Sequence, residues 1–164
     1  MAVVDDVYLG NPNLKKANTQ IEFTQEQILE FVACKNDPVY FAKQHVKIVS
    51  LDEGLVPFEP YDFQEQLIRN FHENRFNICK MPRQTGKSTT SVSYLLHYAV
   101  FNDNVNIGIL ANKAATARDL LGRLQTAYEN LPKWMQQGIV SWNKGSLELE
   151  NGSKILAAST SASA

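Results

Sequence analysis

The stretch CKMPRQTGKSTTSV, Cys79 to Val92, decides how the rest of the chain is read. Its second half, Gly86-Lys87-Ser88-Thr89, ends a phosphate-binding loop of the pattern G-x-x-x-x-G-K-[ST]. Its first half departs from that pattern: Met81, followed by Pro82, stands where a flexible glycine is expected. A phosphate site needs converging backbone N–H groups, a cation for the outer phosphates and a hydroxyl for magnesium. The amides of Gln84, Thr85, Gly86, Lys87 and Ser88 can form that cradle at a helix N-terminus, where the dipole favours an anion. Gly86 permits a close approach, Lys87 is placed for the outer phosphates, and Ser88 supplies the magnesium hydroxyl. Thr89 can donate to an inner phosphate. ATP and Mg2+ are the cofactors this reading implies.

The flanks support it. RFNICKM, before the loop, is an apolar alternation short enough for a strand, and SVSYLLHYAVF after it is a largely apolar helix beginning near Ser88. VNIGILA is a continuous apolar run, as expected of an interior parallel strand. AATARDLLGRLQTAYEN is amphipathic, with Ala117, Leu120, Leu121, Leu124 and Tyr128 on one side. SLELENGSKILAA carries two alternating segments around Asn151-Gly152, a pair that supplies the positive φ angles of a tight hairpin turn. Strands alternating with helices predict an α/β fold whose parallel sheet has helices on both faces, followed by a β-hairpin near residues 145–158.

Upstream, residues 1–22 carry Gly10, Pro12, three asparagines and Lys15-Lys16 and read as a loose N-terminal arm, ahead of a domain over 23–164. Thr24 and Gln27 form a capping box for a helix whose apolar face is Ile28, Phe31 and Val32. Pro38 stops that helix and starts the next. Residues 47–60 read as a loop with short extended pieces. Phe63, Leu67, Ile68 and Phe71 form the stripe of a further helix.

Two more side chains bear on chemistry. Arg83, inside the loop, can reach a transferred phosphoryl group, a role worth about 10³–10⁵ in rate where an arginine finger is used. It can equally be paired with a carboxylate for structure. Gln64 carries a donor and an acceptor and can read two adjacent edge groups of adenine. It can equally be a solvated helix residue.

A hydrolysing enzyme of this kind needs an apolar strand ending in Asp-Glu after the loop. The look-alike KIVSLDE, with Asp52 and Glu53, lies before the loop and is broken by Ser50. VNIGILAN ends in Asn112 instead. The expectation is a chain that is the front part of a longer protein, incomplete at its C-terminus and without turnover on its own.

Bulk composition restricts the alternatives. The chain has 164 residues, 44% of them hydrophobic, enough for one domain with its own core. A formal net charge of −1 announces no global nucleic-acid binder. Lys113, Arg118 and Arg123 are candidates for a basic edge or a solvated helix face. Cys34 and Cys79 read as free thiols in a reducing cell. His45, His72 and His97 show no metal-ligand spacing and read as ordinary histidines. The start lacks the pattern of a signal peptide. No run of about 18 apolar residues predicts a membrane span.

PRQTGKST resembles the phosphate loop of the large terminase subunit of T4-like tailed bacteriophages, in which an arginine precedes the G-K-[ST] ending and the first glycine is lacking. Phe63-Gln64 is similar to that family's adenine-contacting pair. GILANKAATARDLLGRL resembles its helicase-like segment, and LPKWMQQGIVSWNKGSLELENGSKI its extended hairpin region. NPNLKKANTQIEFT is similar to its lead-in arm. The resemblance runs from about Gly10 to Ala158. It implies a helicase/RecA-like P-loop NTPase fold and the adenine role for Gln64. It implies an ATPase that drives double-stranded DNA into a procapsid, with Arg83 and Lys87 catalytic and Ser88 on the metal. The partners implied are double-stranded DNA, the portal protein and the small terminase subunit. A homo-oligomeric ring would form only on the portal, in the host cytoplasm. The acidic strand, coupling motif and nuclease domain of the family are expected beyond Ala164, so no DNA cleavage is assigned to any residue here. Rival readings are a helicase-like translocase, or a nucleotide-binding fragment that turns nothing over.

Overall fold

A computed structural model of the chain describes residues 6–50 and 52–160. Among these residues five helices and eight strands follow one another: β1 (Val7–Tyr8), β2 (Asn11–Lys15), α1 (Gln25–Asn36), α2 (Pro38–His45), β3 (Lys47–Ser50), β4 (Gly54–Pro57), α3 (Asp62–Glu73), α4 (Lys87–Phe101), β5 (Asn106–Ala111), α5 (Ala114–Glu129), β6 (Ile139–Trp142), β7 (Ser146–Leu149) and β8 (Lys154–Ser159). The fold is α/β. No described helix is long and apolar enough to cross a membrane.

The helix starts follow from local chemistry. Thr24 Oγ1 accepts from Gln27 N, and Gln27 Oε1 accepts from Thr24 N, the reciprocal box expected from the sequence. Asp37 Oδ1 accepts from Val39 N and Tyr40 N, capping α2 while Pro38 occupies its first turn. The α5 stripe is buried as expected at Ala117, Leu121, Leu124 and Tyr128, with Leu120 packed at its margin.

The sheet differs from expectation. Its four strands run β5-β8-β7-β6 and it is mixed: β5 and β8 are parallel, while β7 is antiparallel to both β8 and β6. Ile107, Ile109, Leu147, Leu149 and Ile155 point to the core, where α5 packs across β5 and β8 and α4 packs on α5. Leu110 and Leu156, on the opposite face, are exposed. Helices therefore cover one face rather than two, and the strands alternate as half-buried strands do. RFNICKM forms no strand: residues 76–81 pair with nothing in sheet fashion, and Phe76 and Ile78 are 82% and 101% exposed. An alternating apolar pattern becomes a strand only where a neighbouring strand takes up its N–H and C=O groups.

The hairpin of β7 and β8 is present. Its turn is built otherwise than the Asn-Gly pair suggests. Gly152 has φ +80°, but Asn151 is not among the positive-φ residues. Its side chain donates to Ala99 O and Asn102 O and accepts from Ser153 N. Gln137 Nε2 donates to Val100 O and Ser153 Oγ to Asn102 O. Ala99 O and Val100 O, orphaned at the C-terminal end of α4, and Asn102 O just past it are thereby satisfied by residues 137–153.

The arm is docked rather than loose over its described residues. β1 and β2 pair, Leu14 is buried, and Lys16 bridges to Ile139. Gln136 ties it in, its Oε1 accepting from Lys15 N and its Nε2 donating to Asn13 O. Glu150 completes the seam: Oε1 accepts from Lys15 Nζ at 2.9 Å and Gly138 N at 2.7 Å, and Oε2 from Asn18 N at 2.9 Å. Burial alone would raise the Glu150 carboxyl, but these donors outweigh it and hold it below its ordinary value of 4.5. Residues 1–5 lie outside the described part.

On α1, Phe31 packs edge-on against Phe101 and Cys34 is buried, whereas Ile28 and Val32, expected to face the core, are exposed with Leu29. The stripe is helical, but the rest of the protein contacts it one residue row away. His97 Nε2 donates to Cys34 O at 2.9 Å, tying α4 to α1, and burial pushes the imidazole down to about 4, so it is neutral near pH 7.

Candidate phosphate-loop site

The loop from Met81 to Gly86 turns into α4 through two left-handed residues, Gln84 at φ +62° and Gly86 at φ +73°. Gly86 is the N-cap residue of α4, which begins at Lys87, one residue before the expected start. Thr90 N makes the first i→i−4 bond, to Gly86 O, and Thr90 Oγ1 donates to the same oxygen. The amides of Lys87, Ser88 and Thr89 precede that bond and have no acceptor in the helix ladder. They form the positive end of a 15-residue helix.

Lys87 reaches back across the loop, its Nζ donating to Met81 O at 3.2 Å and to Pro82 O. Thr85 Oγ1 donates to Pro82 O as well. The non-glycine half of the loop thus supplies the carbonyls that hold the lysine and the turn. Ser88 and Arg83 are exposed, and Arg83 has no hydrogen-bond or ion-pair partner among the described residues. Gln84 is exposed too, with its side chain outside the turn's bonding.

Gln64 is not a solvated helix residue: it is 4% exposed. Its Oε1 accepts from Tyr61 N at 2.9 Å and its Nε2 donates to Thr85 O at 3.1 Å. It is a strut between the start of α3 and the phosphate loop. A Cβ placed on Gly86 would stand 2.3 Å from Gln64 Nε2, so glycine at 86 is required by the strut as well as by its φ. A cavity of about 430 Å³ opens beside it, lined by Glu53, Phe58, Tyr61, Gln64, Gly86 and Thr89. Exposed Tyr61 and Phe63 stack at 5.8 Å at its side. A larger cavity, about 600 Å³, lies beyond Thr89 between β3, α4 and α5.

Other sequence candidates separate from this centre. Asp52 and Glu53 sit in the turn between β3 and β4, a two-stranded hairpin outside the main sheet, although Glu53 faces the smaller cavity. Arg123 pairs with exposed Asp119, Arg118 Nε donates to Ala114 O, and Lys113 is exposed. Both cysteines are free, Cys34 buried and Cys79 exposed. Sequence reasoning missed one constellation: Glu30, Cys34 and His45 lie together, although an i,i+4 Glu–Cys pair on one helix was visible.

A family model described as the terminase large subunit, T4-like-virus type, N-terminal, matches residues 78–164, which takes in the whole phosphate loop, α4, α5 and the main sheet. That is just over half of the chain, and with the loop geometry it fixes the assignment: the chain belongs to the family of T4-type large terminase subunits, as part of their N-terminal region.

Proposed function

We propose that this chain is the nucleotide-binding portion of a DNA-packaging ATPase of the helicase/RecA-like P-loop class. The observation that carries the reading is the cradle itself. Gly86 is held open by its φ and by Gln64, Lys87 lies across the loop, and three unclaimed amides head α4, all around a family-matched segment. Gly86 must be glycine here, because a Cβ would run into Gln64 Nε2, and the bare amides that head α4 suit a phosphate group. Bound MgATP supplies a phosphoanhydride whose cleavage releases the free energy for moving double-stranded DNA. In this reading Lys87 and the amides from Gln84 to Thr89 hold the phosphates, and Ser88 ligates Mg2+. Arg83, free to swing, stabilises charge on the outer phosphate. Gln64 positions the loop against the cavity that takes the base, with Tyr61 and Phe63 as an aromatic wall. The chain acts in the host cytoplasm, at the portal, as part of a ring with the small terminase subunit and DNA as partners. The same loop would serve a helicase-like translocase; family membership favours packaging.

The test is titration of the chain with a fluorescent ATP analogue and Mg2+. Saturable binding is expected, lost in Lys87→Ala and weakened in Ser88→Ala, with circular dichroism unchanged. Equal binding by all three proteins overturns the proposal. No hydrolysis above background is expected from the chain alone, and robust turnover would refute that part.

A further inference from the structure

We propose that Glu30, Cys34 and His45 form a binding site for a single zinc ion at the corner between α1 and α2. Glu30 and Cys34 are one turn apart on α1 and so face the same way. His45 is the last residue of α2. The α1–α2 corner, set by the Asp37 cap and Pro38, brings its ring back over that face. The three ligand atoms all lie within 4.8 Å of one another. His45 Nε2 is 2.8 Å from Glu30 Oε1, and Cys34 Sγ is 3.6 Å from the same oxygen.

Zinc bonds of about 2.0–2.3 Å in tetrahedral geometry put ligand atoms about 3.3–3.7 Å apart, so shifts of about an ångström or less accommodate the ion. The donor set of one thiolate, one imidazole and one carboxylate is a zinc set rather than a calcium or magnesium set. Three protein ligands leave the fourth position to water. A supporting partner is in place: Tyr40 Oη donates to Glu30 Oε2 at 2.9 Å, orienting the carboxylate through the oxygen the ion would not use. The Trp134 and Phe41 rings flank His45 and restrict its rotation. Cys34 is fully buried, while Glu30 and His45 are partly open, which provides an entry path.

The bland alternative is a carboxylate accepting from three donors. It leaves the thiol poorly served, because Sγ stands at 3.6 Å from an oxygen already engaged by His45.

The experiment uses the chain carrying Cys79→Ser, which removes the exposed thiol as a competing ligand. Zinc chloride is titrated against a chromophoric chelator, and cobalt(II) serves as an optical probe. One equivalent is expected to bind, with a thiolate-to-cobalt charge-transfer band and the intense visible bands of a four-coordinate ion. Cys34→Ala should abolish the charge-transfer band and lower zinc affinity at least about a hundredfold, since loss of mere supporting partners costs 10–100-fold in metal sites. His45→Gln keeps a donor to Glu30, so the fold is maintained, and should lower affinity comparably. Absence of stoichiometric zinc binding, or affinity unchanged in His45→Gln, overturns the proposal.

Discussion

Gly86→Ala isolates the strut on which the phosphate loop rests. The left-handed backbone at φ +73° costs an L-residue roughly 1–2 kcal/mol. The new methyl would stand 2.3 Å from Gln64 Nε2, so the buried amide must leave its place. Its bonds to Tyr61 N and Thr85 O are then lost, at about 1 kcal/mol each. The single variant should therefore lose about 3–4 kcal/mol. Gln64→Ala removes the same two bonds and leaves a void, for about 2–3 kcal/mol. In the double variant the amide can be lost only once, while the backbone cost remains. The pair should cost about 3–4 kcal/mol instead of about 6, a coupling of about 2 kcal/mol. Urea unfolding of the four proteins, read at constant m-value, measures this directly. Additivity within about 0.5 kcal/mol would refute the strut, because it would mean that Gln64 does not hold the loop.

Three further outcomes are expected. Glu150→Gln should destabilise the chain by about 1.5–3 kcal/mol, since three donors lose an ionised acceptor. Because the folded carboxyl is depressed, the wild-type advantage should be full above its ordinary value of 4.5 and vanish as pH falls below it, which urea melts of both proteins across acid pH would show. Gly138→Ala places a methyl 2.5 Å from Ala17 Cα, a backbone atom that no rotamer change clears. It should cost about 1–3 kcal/mol and release the arm, seen as faster tryptic cleavage at Lys15 and Lys16. Arg83→Ala, in a turnover-competent longer protein, should lose hydrolysis while keeping most nucleotide affinity; unchanged turnover would remove Arg83 from the chemistry.

What was legible in the sequence was what short stretches decide for themselves. The Thr24–Gln27 box, the start of α2 at Pro38, the α5 stripe and the entry of α4 after Gly86 all depend on residues within a turn or two of each other. What escaped depends on distant partners. The arm is held by Glu150, which lies 135 positions from Lys15, so composition alone made it look loose. The alternation in RFNICKM states a capacity to pair, but pairing belongs to a neighbour, and here there is none among the described residues. Asn151-Gly152 suits a matched pair of turn angles, yet the asparagine amide bonds the end of α4 instead. At the candidate site the motif picked out the lysine, serine and glycine, whereas the contacts of Gln64 with the loop could come only from folding α3 onto it.

The satisfied carbonyls at the far end of α4 give that helix a mechanical character. Its N-terminus is the phosphate loop; its C-terminus is pinned by Asn151, Ser153 and Gln137 to the base of the hairpin. Between them stand 15 residues, about 22 Å of rod. A rod clamped at both ends transmits axial load without slack. Any push delivered at Gly86 must reappear as a stretch of those three side-chain tethers, or as a bend in the rod itself.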